Sequence, residues 1–183
     1  IVNTWILTGQ NDGTVNGITF TDFNNLVGGN VTDNFVFTNA GGLSGLINGG
    51  AGVDSVNMAA LSVVNIVLGQ TVTNVEQVTG NNTASTLQGE NIANTWNISG
   101  INDGTVGGVT FTNINNLVGG SAADTFLVAS GSVSTSSNSA SRITTIVSTG
   151  AHGGRWPKCG ASVQPITESR NSASRASRGR CDQ

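Results

Sequence analysis

The chain has 183 residues, of which 26 are Gly and 9 % are charged, with a formal net charge of −3. So few bases argue against binding nucleic acid, which takes Lys and Arg to neutralise phosphates. Two Cys and one His are too few for a zinc site. No apolar run reaches the ~20 residues of a membrane span, and no segment carries a helical hydrophobic period, which excludes an α/β architecture.

The chain opens inside a repeat. Asn3-Thr4-Trp5-Ile6-Leu7-Thr8-Gly9-Gln10-Asn11-Asp12-Gly13-Thr14-Val15, continuing to Asn25-Leu26-Val27-Gly28-Gly29, recurs 91 positions later as Asn94-Thr95-Trp96 through Val106 and Asn116-Leu117-Val118-Gly119-Gly120. This opening has no basic n-region and no apolar h-region. It predicts a chain without a signal peptide, cut from something longer.

A shorter period lies within the long one. Asp12, Asp33 and Asp54 are 21 residues apart, as are Asp103 and Asp124. Seven residues before each stands a large apolar residue: Trp5, Leu26, Ile47, Trp96 and Leu117. Val78 and Ser85 fill the same two places. About twenty residues at ~3.3 Å each can circle a core once and return one strand spacing higher. The period therefore predicts an all-β parallel β-helix (β-solenoid) of about six coils, with Trp5, Leu26 and Ile47 in one buried column. Val, Ile, Thr and Phe suit its strands, and Gly and Asn its corners.

In chain order, residues 1–58 read as three coils and 59–93 as a degenerate section, with Ala59 to Thr73 an extended side or lateral excursion. Residues 94–128 read as two more coils. The repeat domain spans 1–149, with long repeats 3–93 and 94–130, and Arg142-Ile143-Thr144-Thr145-Ile146-Val147 supplies one further strand. The composition then breaks. All seven Lys and Arg lie at or after Arg142, whereas residues 1–141 carry eight acids and no base. The irregular Ser/Arg-rich C-terminal tail, 150–183, lacks the apolar content to fold alone. Its abrupt onset reads as a truncation or reading-frame junction, and the segment as disordered or as a cap on the last coil. Cys159 and Cys181 lie in it; their redox state is left open. So does His152, too isolated for a triad.

Three chemistries fit the recurring Asp residues. They can be hydrogen-bonded corners. Asp12, Asp33, Asp54, Asp103 and Asp124 are also candidate ligands for a weakly held Ca²⁺, which takes oxygen donors; Gly49-Gly50-Ala51-Gly52-Val53-Asp54 resembles one calcium-binding β-roll nonapeptide. As enzyme carboxylates, Asp33 and Asp54 are the candidate catalytic pair of a carbohydrate-active β-helix, a polysaccharide hydrolase or lyase. A residue recurring at the repeat period is first explained by structure, and no cofactor other than Ca²⁺ is implied.

The motif Asn-Thr-Trp-x-Ile-x-Gly-x-Asn-Asp-Gly-Thr-Val with Asn-Leu-Val-Gly-Gly and Asp-x-Phe, carried by Asn3 to Phe35 and Asn94 to Phe126, resembles the repeat region of large bacterial filamentous-haemagglutinin-like and autotransporter-type adhesins. The resemblance implies a right-handed parallel β-helix, secreted or at the cell surface, acting as a non-enzymatic stalk or adhesion module. Polysaccharide or a cell surface is then the expected partner. Open solenoid ends make end-to-end self-association a further expectation.

Overall fold

A computed structural model describes residues 1–129, 136–137 and 143–149, all within the unit Ile1–Ala151. Among them every regular element is a strand and none is helical. The first three, β1 (Asn3–Gly9), β2 (Asp12–Val15) and β3 (Ile18–Phe20), form an antiparallel meander with Trp5 opposite Val15 and Val15 opposite Ile18. Asn16 and Gly17 join β2 to β3 with φ of 48° and 85°. This is the two-residue, double-positive-φ turn whose twist matches paired strands, and Asn-Gly is its strongest signal.

Short strands follow: β4 (Leu26–Val27), β5 (Asp33–Phe37), β6 (Ile47–Asn48), β7 (Ser55–Asn57), β8 (Val64–Val67), β9 (Val72–Thr73), β10 (Gln77–Thr79) and β11 (Ser85–Gln88). The second copy repeats the meander as β12 (Thr95–Gly100), β13 (Asp103–Val106) and β14 (Val109–Thr112), turning at Gly107-Gly108. It continues with β15 (Asn116–Val118) and β16 (Asp124–Ala129). The backbone of β17 (Ser136–Ser137) and β18 (Ile143–Thr149) adds one strand beyond each of β15 and β16. The strand expected over 142–147 is thus β18. The tail 150–183, with Cys159, Cys181 and His152, lies outside the described residues.

The strands form three open sheets. One has eleven strands in the order β18-β16-β12-β13-β14-β10-β7-β5-β1-β2-β3, one has four (β17-β15-β11-β8) and one has three (β4-β6-β9). Pairing is parallel except within the two meanders. Successive parallel strands carry like residues onto like: Phe35 lies beside Val56, Val56 beside Val78 and Val78 beside Phe111 in the first sheet. Leu26, Ile47 and Val72 form a second row, and Ile66, Leu87 and Leu117 a third. All are buried. Each contributes roughly 1.5–3 kcal/mol by leaving water.

Where no meander intervenes, the step between stacked positions is 21 residues from Asn34 to Ser55 and from Asn25 to Leu46, 22 from Val56 to Val78 and 25 from Ile47 to Val72. It is 30 where a meander intervenes, as from Asn3 to Asp33 and from Asn94 to Asp124. The expected single column therefore needs correcting. Leu26 and Ile47 do stack, but Trp5 lies in another sheet, beside Phe35 with rings 5.4 Å apart. Trp96 likewise lies on Phe126, not in line with Leu117. The reason is local: the chain turns at Gln10-Asn11 to run β2 back along β1 and again at Asn16-Gly17 to run β3 back along β2, so residues 12–20 lengthen the coil instead of advancing it.

Candidate functional site

The five candidate Asp residues divide into two kinds, and strand alternation explains the division. Successive side chains in a strand point to opposite faces. Asp33 is thus on the face of Phe35 and Phe37, and Asp124 on that of Phe126. The same alternation buries Asp54 together with Val56 and Met58. Asp33, Asp54 and Asp124 are at most 1 % exposed.

Each is built into the stacked backbone. The carboxylate of Asp33 accepts from Asn3 Nδ2 at 2.7 Å, Trp5 Nε1 at 3.2 Å and the Gly29 amide at 2.6 Å. The Asp33 amide donates to Asp54 Oδ1, and the Asp54 amide to Glu76 Oε2, both at 2.7 Å. Asp124 Oδ1 accepts from the amide and Nδ2 of Asn94 at 3.0 and 2.8 Å. Ser85, at the matching corner of β11, accepts from the Asn81 amide at 2.7 Å. Asp54 and Asp124, each one coil ahead, thus hold the amides of Asp33 and Asn94, where the preceding coil's strand begins.

Asp12 and Asp103 lie instead in the meanders, half-buried, each accepting one amide, from Asp22 and Asn113 respectively, at 3.0 Å. They do not belong to the stack. Asp33→Ala leaves three half-buried donors without their acceptor and is expected to cost on the order of 3 kcal/mol, against about 1 for Asp12→Ala. Urea unfolding of the two variants measures the gap.

Asp54 has its pKa raised above the ordinary 3.8, chiefly because burial penalises the charge; the Asp33 amide opposes the shift, while repulsion from Asp33 and Glu76 adds to it. Its Oδ2 has no hydrogen-bond partner. A raised acid binds its proton more tightly in the folded state, so its contribution to stability is full below pH 3.8 and is lost as pH climbs through the folded value. Asp54→Asn keeps an oxygen for the Asp33 amide and removes the charge. Its melting temperature should exceed wild type at pH 7, and the gain should vanish below pH 3.8.

The sequence reading overlooked a second acidic place. The three-stranded sheet stops at β9, and beyond that edge lies a cleft of about 320 Å³ lined by Val72, Glu76, Glu90 and Ile92, with the meander tip Gly107-Gly108 on its rim. Glu76 is half-buried and Glu90 exposed. Neither belongs to the 21-residue period, which is why a search by period missed them. Their own signal was to stand, with Asp22, among the three acids of residues 1–141 that fall off the period.

No Lys, Arg or His occurs among the described residues, so no side chain there brings positive charge to either place. Among the same residues no three His, Cys, Asp or Glu side chains come together as a metal site requires. The stack places Asp33 and Asp54 in succession with no face open to a polymer. No described helix is long and apolar enough to cross a membrane. No family profile, curated protein or solved structure matches this chain.

Proposed function

We propose that the chain is a shaft segment: a right-handed parallel β-helix acting as a non-enzymatic stalk or adhesion module of a secreted bacterial surface protein. The observation that carries this reading is the burial of its recurring acids. Asp33, Asp54 and Asp124 are closed off from solvent and each accepts from backbone or side-chain donors of the stack, so the acids of the 21-residue period present nothing to a substrate. Two copies of one unit that stack like on like support a rod that lengthens by repetition. Strands that carry a few acids and no base favour uncharged polysaccharide or a cell surface over acidic polymers as the target. Retention of the full chain on polysaccharide gels and on whole cells tests adhesion. A chain that binds none of them while cleaving a polysaccharide would sink it.

The Glu76–Glu90 cleft favours a second reading, a carbohydrate-active β-helix in which these two carboxylates, rather than Asp33 and Asp54, meet the sugar. A panel of neutral polysaccharides assayed for new reducing ends tests it. Activity must appear and must be lost in both Glu76→Gln and Glu90→Gln.

A further inference from the structure

The two copies of the unit have the same sequence pattern but not the same surroundings. In the second copy, β10 pairs parallel with β14, setting Val78 beside Phe111, and β11 pairs with β15, setting Leu87 beside Leu117. The contact continues along the chain. The Thr110 amide donates to Glu76 O at 2.8 Å, the Gly80 amide to Thr112 O at 2.9 Å and the Asn82 amide to Asn113 O at 3.0 Å. Asn102 Nδ2 donates to Asn82 Oδ1 at 2.8 Å. Under this cover Trp96, Phe111 and Ile114 are completely buried.

In the first copy nothing described occupies that place. β3 ends the eleven-stranded sheet and β4 ends the three-stranded one, so both ladders stop on the side where β14 and β15 are covered. Leu26 is buried like its match Leu117, but the side chains around β3 are more open in the first copy. Phe23, matching Ile114, is 57 % exposed and Ile18, matching Val109, 71 %. Phe20 and Trp5, matching Phe111 and Trp96, are only half-buried. The internal geometry is otherwise the same. Trp5 to Phe20 and Trp96 to Phe111 are both 6.0 Å, at 60° and 61°, and Phe23 donates its amide to Asn11 O as Ile114 does to Asn102 O. The receiving surface is thus preformed in both copies and filled in one.

We infer that the β3–β4 edge is the docking surface for another copy of the 91-residue unit, joined ahead of Ile1, which presents its own Gln77–Gln88 segment. The register follows by subtraction: Gln77 of that unit opposite Thr19, Val78 opposite Phe20, Leu87 opposite Leu26. In a separate molecule of this chain the same segment is already covered by its own β14 and β15, so the occupant is a unit in tandem. Ile92 of the second copy matches Ile1, so residues 1–91 placed directly before Ile1 continue the repeat without a gap. The inference deepens the shaft reading and rests on its ladder geometry, not on adhesion.

The test compares the full chain with a tandem chain, residues 1–91 followed by 1–183. In the tandem chain, exchange of the Thr19 amide that follows the junction, the equivalent of Thr110, should be about 100-fold or more slower than that of Thr19 in the single chain. Phe23→Asp at the junction should lower the tandem chain's melting temperature while leaving that of the single chain nearly unchanged. Equal exchange in the two chains, or an equal effect of Phe23→Asp, overturns the proposal. So does protection of Thr19 in the single chain that grows with concentration, because the occupant would then be a second molecule. Since no sugar or surface enters these measurements, a failure of adhesion leaves them untouched, and a failure here leaves adhesion to be judged on its own.

Discussion

Trp96→Ala should destabilise the protein by about 3–5 kcal/mol, the cost of emptying the place of a fully buried large aromatic. For a chain of this size that is a fall in melting temperature of roughly 10 °C. Trp96 has no exposed surface, stacks on Phe126 at 5.4 Å and meets Phe111 edge-on. Trp5 stands at the same place in the first copy, with the same stacking partner in Phe35, yet is half-buried. Trp5→Ala should therefore cost only about 2 kcal/mol, in proportion to the smaller area returned to water. The phenylalanine variants sharpen the contrast. Trp96 Nε1 is buried without a partner, so Trp96→Phe removes an unsatisfied donor along with some volume. Trp5 Nε1 donates to Asp33 Oδ1, so Trp5→Phe breaks a bond to a buried carboxylate. Trp96→Phe is expected to recover most of the alanine loss, and Trp5→Phe little of it. Thermal melts of the four variants decide this. Equal losses at the two positions would show that the copies are not differently enclosed.

The second large effect is expected at a glycine. Gly28→Ala should cost about 3 kcal/mol or more, at the upper end of overpacking. A methyl there would run into the carbonyl oxygen of Gly49 and the carboxylate of Asp33. Neither can give way: the first is backbone of the adjacent strand end, and the second is held by three donors. Gly49 meets Asn74 O and Asp54 in the same manner, and Gly119 meets Asp124. Each corner thus pairs a glycine with an acid five residues later, close enough that no side chain fits between. Gly17→Ala is the control. Its position is open to solvent, so its cost is confined to the positive φ, about 1 kcal/mol. If Gly28→Ala and Gly17→Ala unfold at the same denaturant concentration, close packing at the corner is not what those glycines serve.

Much of the architecture was legible in the residues. The absence of helical periodicity gave an all-β chain, and the 21-residue spacing correctly stacked Leu26 on Ile47 and Asp33 on Asp54. The meanders were legible too and were passed over. Asn16-Gly17 between Thr14-Val15 and Ile18-Thr19-Phe20 is a strong local hairpin signal, and it separates Asp12 from Asp33. The burial of Asp33 could also have been read, from Phe35 and Phe37 at alternate places after it. Asp12 is followed instead by Gly13, Thr14 and Val15, with no large apolar residue two places on.

What the amino acids determined by themselves was local and periodic: which residues extend, which turn, and which faces seek cover. These follow from backbone sterics and two-residue alternation, which act within a few positions. Only the tertiary structure decided which turn meets which. It set Trp5 on Phe35 rather than over Leu26, opened the Glu76–Glu90 cleft where a sheet stops, and gave two matching copies different enclosures. Those outcomes depend on how many residues each coil spends before returning, and that total is known only once the whole circuit has closed.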